Sequence, residues 1–233
     1  MKKNFLILNF INILLILIGD ACYIIFGGLW LKGLTSGLFV ALGAINLIYL
    51  ILNKNNNLKF PIIMLIGLVF AMLGDIILNI EFIIGAILFA IGHVFYFISY
   101  CYLQKFKLTD LIYGAAIFIP SVLLITLAPI FDFGGVLMEI VCIVYALIIS
   151  CMVGKTIANL VKEKSLLNII LVIGSCLFFF SDLMLLLNVF GNLPKIVDIL
   201  CLVTYYPAQC FLGYSLFSFS NTNVKNQEQN NQQ

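Results

Sequence analysis

LGDIILNIEFIIGAILFAIGHVFYFISY, residues Leu73–Tyr100, holds the end of one apolar segment, a tight connection at Asn79-Ile80-Glu81 and most of the next apolar segment. Inside it sit a carboxylate, Asp75, and the only histidine of the chain, His93. A charged side chain costs roughly 2.5–3.5 kcal/mol at the centre of a membrane helix on insertion scales, so an ionisable group retained there marks a functional site. The rest of the chain reads as a cage around these two residues.

Composition sets the class. With 64% hydrophobic and 9% charged residues and a mean hydropathy of +1.18, there is too little polar surface to coat a soluble globule. The expected fold is an all-α integral membrane protein. The net charge of +2 is scattered over the connections with no basic arm or stripe, so the partner is the lipid bilayer and not nucleic acid. The seven cysteines (Cys22, Cys101, Cys142, Cys151, Cys176, Cys201 and Cys210) contain no CxxC pair and lie in or beside apolar segments. They read as small apolar fillers, not as disulfides or metal ligands.

A hydrocarbon core of ~30 Å needs ~20 helical residues, and eight segments meet that length: 5–26, 34–52, 60–80, 82–103, 111–130, 135–155, 166–188 and 196–219. Met1-Lys2-Lys3 before an apolar run looks like a signal peptide, but the run continues past Asp20 to Phe26, which predicts an uncleaved first helix. Turn formers such as Gly27-Gly28 and Gly191-Asn192-Leu193-Pro194 mark the connections. No ten-residue polar/apolar alternation is present, which favours helices over a barrel. Residues 1–220 thus form one transmembrane domain, and the Asn/Gln-rich stretch 221–233 predicts a disordered tail.

There is no arginine, so orientation rests on lysine. Ten lysines fall on one side and only Lys32 and Lys195 on the other, which predicts a multi-pass protein of the cell membrane with both termini in the cytoplasm. At ~1.5 Å per residue, Asp75 lies about 22 Å and Asp182 about 24 Å from the cytoplasmic starts of their segments. Asp20, Glu139 and Asp198 also fall in outer halves, and no acid occupies an inner half. The pattern predicts one polar cavity opening outward.

Helical spacing identifies the faces that line it. Gly85, Phe89, Gly92/His93, Tyr96 and Tyr100 recur at three or four residues on the fourth segment, and Gly67, Ala71, Gly74, Asp75 and Leu78 answer on the third. Glycines allow close approach of membrane helices, so packing accounts for them without a ligand. The last segment adds Asp198, Tyr205 and Gln209 near one stripe, with Pro207 predicting a kink. Ile66-Gly67 followed by Gly74-Asp75-x-x-Leu78 is echoed 107 residues later by Ile173-Gly174 and Ser181-Asp182-x-x-Leu185. Two tandem four-helix halves, 1–107 and 108–220, would place Asp75 and Asp182 about one axis along the membrane normal.

Gly74-Asp75-x-x-Leu78, Gly92-His93-x-x-Tyr96, Ser181-Asp182 and Tyr205-Tyr206-x-x-Gln209, in this order, resemble the motifs of the YhhN-like membrane proteins, which include the animal lysoplasmalogenases. The resemblance covers nearly the whole chain. It implies an eight-helix fold and hydrolysis of the vinyl ether bond of a lysoplasmenyl phospholipid to a fatty aldehyde and a glycerophospho-alcohol. Asp75, Asp182 and His93 become the catalytic candidates. Gly74, Tyr96, Ser181, Asp198, Tyr205, Tyr206 and Gln209 become the substrate-binding ones, with no cofactor or metal.

The residue types suit that chemistry. Protonation of the alkene carbon gives an oxocarbenium ion, water adds, and the hemiacetal collapses. Two neighbouring buried carboxylates can share a proton, one acting as general acid and the other stabilising the cation or deprotonating water. Nothing in the sequence assigns the two roles between Asp75 and Asp182. A multi-histidine zinc site needs more imidazoles than one, no GxSxG elbow supports a serine nucleophile, and no phosphate loop is present. Two readings from other classes stay open: a proton-coupled transporter, which also uses buried acids and kinked helices, and a lipid-binding protein without chemistry.

Overall fold

The computed structural model describes the chain except residues 56, 192 and 231–233, with side chains described to Ser220. Eight helices follow one another: α1 (Lys2–Phe26), α2 (Leu29–Leu52), α3 (Lys59–Ile77), α4 (Phe82–Leu103), α5 (Leu111–Leu127), α6 (Val136–Lys162), α7 (Leu166–Phe190) and α8 (Ile196–Asn230), with a 3-10 turn at Leu108–Asp110 before α5. All eight are long and apolar enough to cross a membrane, and among the described residues there is no strand. The disordered tail expected from residue 221 falls on the backbone of α8 as far as Asn230, and beyond that outside the described residues.

The helix ends have local causes. Gly27 and Gly28 turn the chain with φ of +67° and +96°, a conformation that glycine adopts without a Cβ clash. The turn lets α2 begin at Leu29, earlier than residue 34, and so places Lys32 in its first turn. α3 stops at Ile77 instead of 80 because the Asn79 side chain donates to the Asp75 carbonyl at 2.7 Å, an acceptor the next helical N–H would otherwise use. α5 stops at Leu127 because Ala128 is extended ahead of Pro129, where the proline ring disfavours the helical region. α6 runs on to Lys162, well past residue 155.

Successive helices form hairpins, α1 with α2, α3 with α4, α5 with α6 and α7 with α8. Contacts between the hairpins join them into a bundle: α2 packs on α3 and α8, and α6 packs on α4 and α7. The starts of α2 and α6, Leu29 and Val136, are 107 residues apart, as are those of α3 and α7, Lys59 and Leu166. Tight seams depend on glycine. A Cβ at Gly154 would stand 2.3 Å from the Gly114 amide nitrogen, and one at Gly67 would stand 2.5 Å from the Tyr96 ring. The apolar core centres on Phe89, Phe178 and Tyr205, whose rings meet edge to face with centroids 5.4–6.0 Å apart, the arrangement favoured by the ring quadrupoles.

Two lysines counted in setting the orientation are buried inside the bundle. Lys32 pairs with Asp75. Lys155, fully buried on α6, donates to Asp110 Oδ2 at 2.8 Å and to the Lys105 carbonyl at 3.3 Å, while Lys162 takes the other oxygen of Asp110. Asp110, a connection residue by its place in the sequence, is buried in the 3-10 turn ahead of α5 against these two lysines. A buried carboxylate is retained there because two ammonium groups compensate its charge.

Candidate functional site

Asp75 sits one turn from the end of α3, facing α2 and α8. Lys32 Nζ lies 3.0 Å from its Oδ1. Ser36 Oγ donates to Oδ2 at 2.5 Å, and Tyr206 OH donates to the same oxygen at 3.0 Å. Ser36 lies one turn after Lys32 on α2, so a single helix face supplies both the cation and the hydroxyl. Neither residue stands out in the sequence: Lys32 reads as a connection lysine, and Ser36 as a small residue in an apolar run.

Asp182, on α7, has a different set of partners. Tyr145 OH, from α6, donates to its Oδ2 at 2.7 Å, and His93 Nε2 lies 3.1 Å from the same oxygen and 2.9 Å from the Tyr145 hydroxyl. His93 Nδ1 is buried without a partner. A buried N–H with no acceptor costs more than a bare ring nitrogen, so the ring proton belongs on Nε2, where it points at Asp182 and Tyr145. Both contacts go to Oδ2, which leaves Oδ1 to address the neighbouring space. The sequence offered no signal for Tyr145, a single tyrosine between apolar neighbours on α6.

The two aspartates line one cavity of ≈ 170 Å³, together with Lys32, Asn79, Asn188 and Asp198. Ser181 and Tyr205 are also on its wall, although their hydroxyls are occupied by the carbonyls of Cys201 at 2.9 Å and Ala71 at 3.2 Å. No hydrogen bond joins Asp75 to Asp182, so the shared-proton pair expected from their chemistry is not what the geometry shows. Asp75 is held by a lysine and Asp182 by an imidazole and a phenol. Of the three further acids expected at this end, only Asp198 lines the cavity, while Asp20 and Glu139 stand outside it.

The other expected site residues lie behind that wall. His93 is fully buried and touches the cavity only through Asp182. Tyr206 acts through Asp75. Tyr96 and Gln209 bond to each other at 3.1 Å across α4 and α8, away from the cavity, which corrects the stripe that placed Gln209 on its wall. Gly74 allows close packing, since a Cβ there would meet the Phe89 ring at 2.9 Å.

An apolar groove of ≈ 80 Å³ runs alongside, between α4, α5, α6 and α7, lined by residues such as Phe82, Leu124, Ala146 and Leu186. It shares Leu78, Phe89, Asp182 and Leu185 with the polar cavity. Asp182 is thus the only charged group common to the two spaces. An amphiphile could lay its chain in one and its polar end in the other, with Asp182 at the junction.

Fold and cavity together define a multi-pass, eight-helix membrane protein with an ionisable site enclosed between its helices. The chain belongs to the YhhN family, whose model matches residues 31–216. No curated protein and no solved structure matches the chain.

Proposed function

We propose that the protein hydrolyses the vinyl ether bond of a lysoplasmenyl phospholipid, releasing a fatty aldehyde and a glycerophospho-alcohol. The observation that carries this reading is the position of Asp182 at the junction of an apolar groove and a polar cavity that also contains Asp75. The alkenyl chain occupies the groove, the glycerophosphoryl part occupies the cavity, and the vinyl ether between them lies beside Asp182.

The different partners suggest different roles. Asp182 Oδ1 delivers a proton to the alkene carbon remote from oxygen, and the ether carbon becomes an oxocarbenium centre. Tyr145 and His93 hold the opposite oxygen and keep the carboxyl aimed. Asp75, paired with Lys32 and bonded by Ser36 and Tyr206, stabilises that positive charge. Water then adds to the ether carbon and returns a proton to Asp182. The hemiacetal collapses with cleavage of the carbon–oxygen bond, and the departing oxygen takes up the remaining proton. One water is consumed, and both carboxyls end as they began.

The same reading extends to topology. With Lys32 and Lys155 buried, the lysine excess outside the bundle stays on the side of both termini, which supports termini in the cytoplasm of a cell-membrane protein. It takes residues 1–107 and 108–220 as tandem halves, with Asp75 and Asp182 as counterparts.

Aldehyde release from a lysoplasmenyl phospholipid by the purified protein is the test, with Asp75→Asn and Asp182→Asn run beside it after both elute as folded protein. Turnover lost in both variants supports the two-carboxylate site. No aldehyde from the unaltered protein with any headgroup overturns the reading.

A further inference from the structure

The polar cavity has an unbalanced charge set. Asp75, Asp182 and Asp198 line it against a single cation, Lys32. Even with Asp182 carrying the proton it delivers, a simple anion entering such a space would meet the carboxylates of Asp75 and Asp198, and a ligand carrying one negative and one positive group would leave the balance unchanged. The two groups also have distinct places to go. Lys32 Nζ is engaged by Asp75 at 3.0 Å and, weakly, by Asn79 Oδ1 at 3.5 Å, so one of its three donors remains for a ligand oxygen.

Asp198, in the first turn of α8, has only a long contact of 3.4 Å, from Asn188 Nδ2. Both oxygens of Asp75 are engaged by Lys32, Ser36 and Tyr206, and the open Oδ1 of Asp182 faces the reacting bond in the reading above. Asp198 is the wall carboxylate that no side chain holds closely.

We propose that this cavity recognises a zwitterionic phosphodiester headgroup from both ends, Lys32 binding the phosphate and Asp198 the terminal ammonium, which makes Asp198 the residue that sets headgroup preference. The inference rests on the lipid reading above for the choice of ligand, but not on the chemistry at Asp182.

The test is binding of two 1-O-alkyl lysolipids of equal chain length, one with a phosphoethanolamine and one with a phosphoglycerol headgroup. Both carry one phosphodiester charge, and neither has a vinyl ether to cleave. The expected result is that the protein binds the ethanolamine lipid about tenfold more tightly, the scale of one hydrogen-bonded charge pair. Asp198→Asn, an isosteric change, brings the two affinities together by weakening the ethanolamine lipid alone, and Lys32→Gln weakens both.

Equal binding of the two lipids by the unaltered protein overturns the proposal, as does an Asp198→Asn variant that weakens both alike. Aldehyde release is scored separately. Headgroup discrimination without turnover would sink the hydrolase and leave this site standing, and turnover without discrimination would do the reverse.

Discussion

Lys32 and Asp75 form an ion pair of 3.0 Å between the first turn of α2 and the last turn of α3, with side-chain exposures of 8% and 5%. Such a pair is costly to assemble and more costly to halve, because removing one partner strands the other charge in a low-dielectric interior. Asp75→Asn is therefore expected to destabilise the protein by about 3 kcal/mol. Adding Lys32→Met to it should restore at least half of the loss. Unfolding midpoints of both variants in the same detergent check this, and an unimproved double variant would show that Lys32 does not need Asp75.

His93 and Tyr145 act on Asp182 from the side away from the cavity. Under the hydrolase reading, Tyr145→Phe removes one of two bonds to Oδ2 and is expected to lower kcat about 10-fold to 100-fold with little change in KM. His93→Gln should do the same. Steady-state aldehyde release gives both constants, and a rise in KM at unchanged kcat would assign these residues to binding instead.

Glycine substitutions should divide by what faces them. At Gly154 an added methyl meets backbone atoms of Gly114 that cannot move aside without parting α5 from α6. Gly154→Ala is expected to cost about 1–3 kcal/mol. At Gly37, on α2, nothing lies within 4 Å of the added carbon, so Gly37→Ala should be neutral or stabilise by up to about 1 kcal/mol. Thermal unfolding of the two variants separates these outcomes, and equal effects would refute the packing argument.

Lys155→Met removes the fully buried ammonium that ties Asp110 and the Lys105 carbonyl to α6. The connection from Gln104 to Asp110 should then open more often, and trypsin should cleave after Lys105 and Lys107 about tenfold faster, equivalent to about 1.4 kcal/mol of local opening. Cleavage at the unaltered rate would mean that Lys162 alone suffices to hold Asp110.

The helix count was legible because apolar runs of membrane length leave few alternatives, and Asp75, Asp182 and Asp198 were legible because acids are rare in such runs. Their partners were not. A lysine near a segment end reads as a boundary marker, yet Lys32 lies inside α2 because two glycines with positive φ tighten the turn before it. Ser36 and Tyr145 are ordinary residue types in an apolar helix, and only the α2–α3 and α6–α7 contacts give them a carboxylate to bond. Spacing likewise put Gln209 on the stripe of Tyr205, but a stripe on a helix is wider than one cavity, and Tyr96 claims the amide.

The attachment of α5 bears on how a lipid could reach Asp182. Among the described residues its backbone comes close only to α6 and to the 3-10 turn, and its flank bearing Leu124 and Ile125 walls the apolar groove. Its ends are clipped, one by Asp110 held on Lys155 and Lys162, the other by the Asp132 amide bonded to the Phe190 carbonyl at 2.9 Å. Pro120, which has no N–H to give, lies between the clips. Under the hydrolase reading, a hydrocarbon chain arriving sideways from the bilayer would meet a wall supported along a single seam. Bowing that wall outward leaves the α2–α8 and α4–α6 crossings untouched, so traffic to the buried acid need not loosen the frame that positions it.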